Sequence, residues 1–273
     1  MKQNVISREY KVMLQKERFI GSQDNLIQQA EEFWNDFKGL IQDIVIDTHG
    51  SLDQVKEERE IRFYDTTDHR IRKNNYVFRE RVDLNTGKRE VTLKYRHPDR
   101  YISQDRDMRA SDVKNGKTKF EEDIKLPFIS LYSFSTKQPI SNSKNLNKLN
   151  DPGKLYPDFK KRLKSYQKDD PITIVGDFTA REIVITSADF QISNSPKVKA
   201  ECALITWYDV EGEKDNPVVV EFSFKYKKKQ EEYDGEVSQK VYDVFGKLQQ
   251  DELAGWVNPD GKTKTAYVYS RAS

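Results

Sequence analysis

FRERVDLNTGKREVTLKYRH, residues 78–97, is two runs of alternating side chains around a polar turn, and it reads as a β-hairpin. Neighbours two apart along a strand share a face. Arg79 and Arg81 therefore stand together on the first strand. Thr92, Lys94 and Arg96 stand together on the second, with Val91, Leu93 and Tyr95 opposite. A hairpin that gathers cations on one face either turns that face to bulk water or lines something wet.

The same alternation recurs far away in the chain. Ser7, Glu9 and Lys11 fall on one face with Tyr10 and Val12 behind them. Lys119, Glu121, Asp123 and Lys125 are backed by Phe120, Ile124 and Leu126, and Glu221, Ser223 and Lys225 by Val220, Phe222 and Phe224. Further strand-like runs are EREIRFYDT (58–66), TAREIVITSADFQIS (179–193) and ECALITWYDVEG (201–212). Two stretches have helical spacing instead. SQDNLIQQAEEFWNDFKGLIQDIV (22–45) has an apolar stripe through Leu26, Ile27, Ala30, Phe33, Trp34, Phe37, Leu40, Ile41 and Ile44, with Ser22 or Asp24 as cap; VSQKVYDVFGKLQQD (237–251) aligns Val241, Val244, Phe245 and Leu248. The segment from 127 to 170, rich in Ser, Asn, Lys and Pro, is expected to be an insertion, with LYPDFKKRLKSY (155–166) as a short helix within it. Many strands and few helices without regular alternation predict an α+β fold with a mainly antiparallel sheet. One domain over 1–273 is expected.

Composition restricts the function. A chain of 273 residues at 36% hydrophobic can bury its own core. Lys and Arg number 47 against 45 Asp and Glu, so the formal charge is +2 and any basic site must be local rather than a coating for nucleic acid. The single cysteine, Cys202, makes no intramolecular disulfide and is read as a small buried residue. Without a signal-like N-terminus or an apolar run of membrane length, the expectation is a cytoplasmic protein with no membrane association. His49, His69 and His97 lack metal-ligand spacing. Gly-x-Ser-x-Gly, Gly-x-x-x-x-Gly-Lys and Gly-x-Gly-x-x-Gly motifs are absent, so phosphate recognition would fall to side chains.

Two architectures accommodate the alternating strands. In a plain sandwich the polar faces are the solvated outside. In a closed barrel the apolar face points outward beneath the two helices and the polar face lines a hydrated interior. An interior rich in Arg and Lys calls for a polyanion, because both residues make charge-assisted hydrogen bonds to phosphate oxygens. Carboxylates among them would repel that polyanion unless a divalent ion stood between.

RFYDTTDHRIRKNNYVFRERV (62–82) followed by EVTLKYR (90–96) resembles the core signature of the CYTH superfamily, the triphosphate tunnel metalloenzymes: an aromatic residue, Asp-Thr, an Arg-x-Arg strand and a Thr-Leu-Lys strand. SREYKVML (7–14) sits where that family has a Glu-x-Glu-x-Lys strand, FEEDI (120–124) resembles its acidic strand, TAREIVI (179–185) its later arginine strand, VVVEFSFKY (218–226) its late acidic strand and KTKTAY (262–267) its terminal lysine segment. The resemblance implies an eight-stranded antiparallel tunnel with a polar interior. It implies Lys11, Arg79, Arg81, Lys94 and Arg181 as phosphate-clamping catalytic residues, and Lys264 as a further substrate contact. Glu9, Glu121, Asp123 and Glu221 would be metal ligands for Mg²⁺ or Mn²⁺. The implied activity is metal-dependent hydrolysis of a small triphosphate or polyphosphate, with nucleic acid entering only as a 5′-triphosphate end. Ser7 and Ser223 depart from the pattern, each standing where the family has a glutamate. A binding module without turnover and a cyclase acting on ATP are the alternatives.

Overall fold

Residues 3–272 are described by the computed structural model. Their strands join in one sheet: β1 (Ser7–Met13), β2 (Asp47–His49), β3 (Gln54–Asp65), β4 (Tyr76–Asp83), β5 (Arg89–His97), β6 (Lys117–Lys125), β7 (Ile129–Ile140), β8 (Thr173–Thr186), β9 (Asp189–Asn194), β10 (Lys197–Asp209) and β11 (Pro217–Lys227). The order β11-β1-β6-β7-β5-β4-β3-β8-β10 closes through a β10–β11 pairing, and β9 and β2 extend from β10 as a side branch. The ring therefore has nine strands where eight were expected. All its pairings are antiparallel except β1 with β6, which run parallel and set Ser7 beside Glu121 and Glu9 beside Asp123.

The hairpin at residues 78–97 forms as read, pairing Arg79 with Thr92 and Arg81 with Glu90. Its turn is held by Asp83, whose carboxylate accepts the backbone N–H groups of Asn85 at 3.1 Å and Thr86 at 2.7 Å. Gly87 follows at φ 65°, the left-handed region that glycine enters without steric cost.

Two amphipathic helices cover the outside. In α1 (Gln23–Ile41) Ser22 is the N-cap, accepting the Asn25 N–H at 3.3 Å. The Phe33 and Phe37 rings of α1 meet Phe222 on the outer face of β11 at 4.9 and 5.4 Å between centroids. Each such fully buried aromatic contributes on the order of 2–3 kcal/mol through area removed from water. The indole N–H of Trp34 donates to the carbonyl of Gly50 at 3.0 Å; a Cβ on Gly50 would lie 1.9 Å from the Ser187 carbonyl, so only glycine fits. Cys202 is buried in this same core, as expected. Among the described residues no helix is long and apolar enough to cross a membrane.

Four short helices sit in the connections: α2 (Arg70–Lys73), α3 (Arg100–Gln104), α4 (Asn150–Leu155) and α5 (Phe159–Arg162); the second amphipathic helix is α6 (Gly235–Lys247), and α7 (Lys264–Ser270) ends the fold. The segment expected as an insertion from 127 opens instead with β7, a full strand of the ring, because Phe134 and Tyr132 pack beside Phe120 with the polar side chains facing in. Its remainder lies against the outer face of β4, β5 and β7. The Tyr156 hydroxyl donates to the Val91 and Thr136 carbonyls at 3.1 and 3.0 Å, and Phe159 meets Tyr76 edge-on at 5.3 Å.

One end of the interior is apolar. Met13, Ile61, Phe63, Ala180, Trp207 and Val219 point inward and cluster with Val268 and Tyr269 of α7. Asp65 anchors that helix. Its carboxylate, 1% exposed, accepts the N–H groups of Thr66 and Ile71 at 2.8 Å and Arg72 at 3.0 Å, and the Tyr269 hydroxyl at 2.8 Å. The Asp-Thr pair of the signature is thus a structural clamp at the foot of β3.

Candidate functional site

Closing the sheet turns its alternating polar faces toward one another. They enclose a cavity of about 380 Å³ lined by eleven lysines and arginines against four carboxylates, in a chain whose net charge is only +2. Lys11, Arg79, Arg81, Lys94, Lys264, Glu9, Glu121, Asp123 and Glu221 all line it, brought from β1, β4, β5, β6, β11 and the start of α7. A closed barrel with a polar interior is the architecture that the sequence resemblance implies.

Arg181 does not join them. The alternation of β8 turns Glu182 inward and Arg181 outward, where its guanidinium pairs with Glu58 at 3.0 Å. Glu182, 1% exposed, accepts the indole N–H of Trp207 at 2.7 Å and is ion-paired to Arg59. Burial pushes its carboxyl pKa up, but Arg81 and Arg59 outweigh this and hold it well below the usual carboxylate range. Sequence reasoning missed Arg59 and Glu182, and it missed Lys137 because β7 was read as part of an insertion. It placed Arg96 on the right face without giving it a role; Arg96 donates to Asp123 at 2.8 Å.

The cations fall into two groups. Lys11 lies 2.9 Å from Glu9 and 3.0 Å from Asp123, and Lys264 lies 2.7 Å from Glu221. Burial pulls Lys11 toward neutrality, but Asp123 and Glu9 overcome it and hold its pKa above the ordinary lysine value. Glu9 is pushed up by burial and drawn down further by Lys11, to about 2. Arg79 and Arg81 are different. Among the described residues neither guanidinium has a carboxylate within 4.0 Å, and the buried Nε of Arg81 and Oγ1 of Thr92 have no hydrogen-bond partner. Burial lowers the pKa of both, and each feels a neighbouring guanidinium: Arg81 beside Arg79, Arg59 beside Arg81. Arginine stays charged through such shifts. The lowering therefore registers first the burial of two cations and then repulsion between neighbouring guanidiniums, opposed from a distance by Glu182 and Glu90, and a bound anion would offset both. Lys94, only 3.6 Å from Asp123, is nonetheless brought down by burial to about 8.

The four carboxylates expected as metal ligands do not gather. Among the described residues no three Asp, Glu, His or Cys side chains are grouped to hold an ion. Glu9 and Asp123 are cross-strand neighbours with Lys11 between them, Glu121 accepts from Ser7 at 2.7 Å, and Glu221 is engaged by Lys264. Such donors do not make the multi-carboxylate site that the resemblance implies; Glu9 and Asp123 are the pair nearest to one.

No family model matches the chain, and no curated protein matches it. Among solved structures, a candidate adenylyl cyclase from Hippeastrum with a dominant triphosphatase activity is 12% identical over 97% of this chain and 96% of that one, with a TM-score of 0.45. A candidate adenylate cyclase from Bacillus halodurans is 13% identical over 89% and 90%, and one from Vibrio parahaemolyticus 8% over 98% and 99%, each with a TM-score of 0.36.

Proposed function

We propose that the barrel interior binds the phosphate chain of a small triphosphate, inorganic triphosphate or a nucleoside triphosphate, and hydrolyses one of its anhydride bonds. The observation that carries this reading is the unpartnered Arg79 and Arg81 pair facing the cavity beside Thr92. Two guanidiniums buried together without a direct ion pair, with Glu182 and Glu90 acting on them only from beyond 4.0 Å, are costly, and phosphate oxygens spaced along a chain would match both at once.

Phosphoryl transfer asks the protein mainly for position and charge. Arg79, Arg81 and Lys94 would hold the non-bridging oxygens and stabilise the charge that develops on the leaving phosphate. Asp123, which faces the cavity 3.6 Å from Lys94, would orient the attacking water. Removing one cationic contact of this kind costs on the order of 3 kcal/mol in barrier, about a hundredfold in rate. No step is assigned to a metal. Ser7 and Ser223, each donating to a glutamate, favour a second reading in which the barrel binds the chain without turning it over.

Incubation with triphosphate and then with ATP, with and without Mg²⁺ or Mn²⁺, separates the readings by product. Orthophosphate or pyrophosphate supports hydrolysis, a cyclic nucleotide supports a cyclase, and binding without product supports the module. Failure to bind either compound overturns the proposal.

A further inference from the structure

The arrangement of Lys11 bears on how a cavity containing carboxylates accepts a polyanion. Glu9 and Asp123 stand side by side in the parallel β1–β6 register, and Lys11, one inward position along β1, places its ammonium 2.9 Å from one and 3.0 Å from the other. The outer oxygens of the pair are also occupied: Ser223 donates to Glu9 at 3.3 Å, and Arg96 donates to Asp123 at 2.8 Å. A divalent ion bridging these carboxylates to phosphate would have to displace the ammonium. Mg²⁺ sheds its own water reluctantly and gains only two carboxylates there.

We infer that the barrel takes its phosphate chain without a divalent cation, the tethered ammonium of Lys11 standing between Glu9 and Asp123 where a bridging ion would otherwise be required. This rests on the phosphate-chain reading above and narrows it. A covalently tethered cation loses no translational freedom when the chain binds, whereas a free ion does. The ligand form expected to bind best is the bare tripolyphosphate anion, because complexation by Mg²⁺ withdraws the charge that Arg79, Arg81 and Lys94 would otherwise meet.

Calorimetric titration of the full chain with sodium tripolyphosphate, once in EDTA and once in excess MgCl₂, tests this. The inference expects binding in EDTA as tight as in Mg²⁺ or tighter, with a melting-temperature rise of roughly 5 °C at a hundredfold excess over Kd. Binding at least tenfold tighter in Mg²⁺ overturns it while leaving the phosphate-chain reading standing; binding in neither condition overturns both. Glu9→Gln gives a second, independent readout. If Glu9 only restrains Lys11, the variant retains or gains affinity by up to about tenfold in EDTA and in MgCl₂ alike; if Glu9 is a metal ligand, affinity in MgCl₂ falls and its Mg²⁺ dependence is lost, which overturns the inference.

Discussion

Tyr269, near the end of the C-terminal helix, donates its hydroxyl to Asp65 at the foot of β3 across 2.8 Å of buried space. The bond ties two segments 204 residues apart and seats α7 against the apolar end of the barrel. The same carboxylate serves three backbone N–H groups, so its loss strands buried donors. Asp65→Ala is expected to destabilise the fold by about 3 kcal/mol and Tyr269→Phe by about 1 kcal/mol. Chemical denaturation measures both, and equal effects from the two variants would contradict the hub described for Asp65.

Arg81 and Lys94 should behave differently from Asp65. Removing either cation ends a buried charge's desolvation cost but also its attraction to Glu182 or Asp123, so Arg81→Ala and Lys94→Ala should change stability by no more than about 1 kcal/mol. Both should weaken triphosphate binding and turnover by about a hundredfold. Unchanged turnover in both variants would contradict the site.

The two neighbours on β8 separate inside from outside. Arg181→Ala removes an exterior pair with Glu58 and should leave triphosphate affinity unchanged and stability within about 1 kcal/mol. Glu182→Gln withdraws the buried counter-charge of Arg59 while leaving the Trp207 N–H near an acceptor. It should cost about 3 kcal/mol, read by the same denaturation experiment.

Much of this was legible because strand alternation is a local property. The faces containing Glu9 and Lys11, Arg79 and Arg81, and Lys94 and Arg96 follow from spacing two, and closure simply turned them toward one another. Arg181 was misplaced because a one-residue difference in facing exchanges it with Glu182, and the short motif around it carries no signal for which of the two points in. The strand at Ile129–Ile140 was hidden by its Ser, Thr and Lys content, which resembles a loop when the polar face of a barrel is not in view. The pairing of Lys11 with both Glu9 and Asp123 depends on a parallel register between β1 and β6, which no local pattern encodes. The apolar end depends likewise on α7, which the terminal lysine segment did not announce.

Lys94 gives the site a pH dependence. Its pKa near 8 in the free protein arises first from burial, with Arg96 and Lys11 lowering it further and Asp123 and Glu121 opposing. A bound polyanion favours the charged form, so affinity should be highest below pH 8 and fall as pH rises through 8 to 9, with proton uptake on binding in that range. Stability of the free protein moves the other way. The folded pKa is lowered, so between about 8 and the unfolded value of 10.5 the unfolded chain holds more protons, and the Lys94 contribution to stability grows with pH. Titrations at pH 7 and pH 9 in two buffers of different ionisation enthalpy check the first sign and chemical denaturation at the same pH values the second, and Lys94→Met should flatten both.

The central claim is that an enclosed set of cations holds a phosphate chain, and a crystal structure of the protein soaked with tripolyphosphate tests it most directly. The account predicts phosphate density inside the barrel within hydrogen-bond distance of Arg79, Arg81 and Lys94, with Arg181 still on Glu58 outside. Density confined to the outer surface, with the interior holding only water, would contradict it.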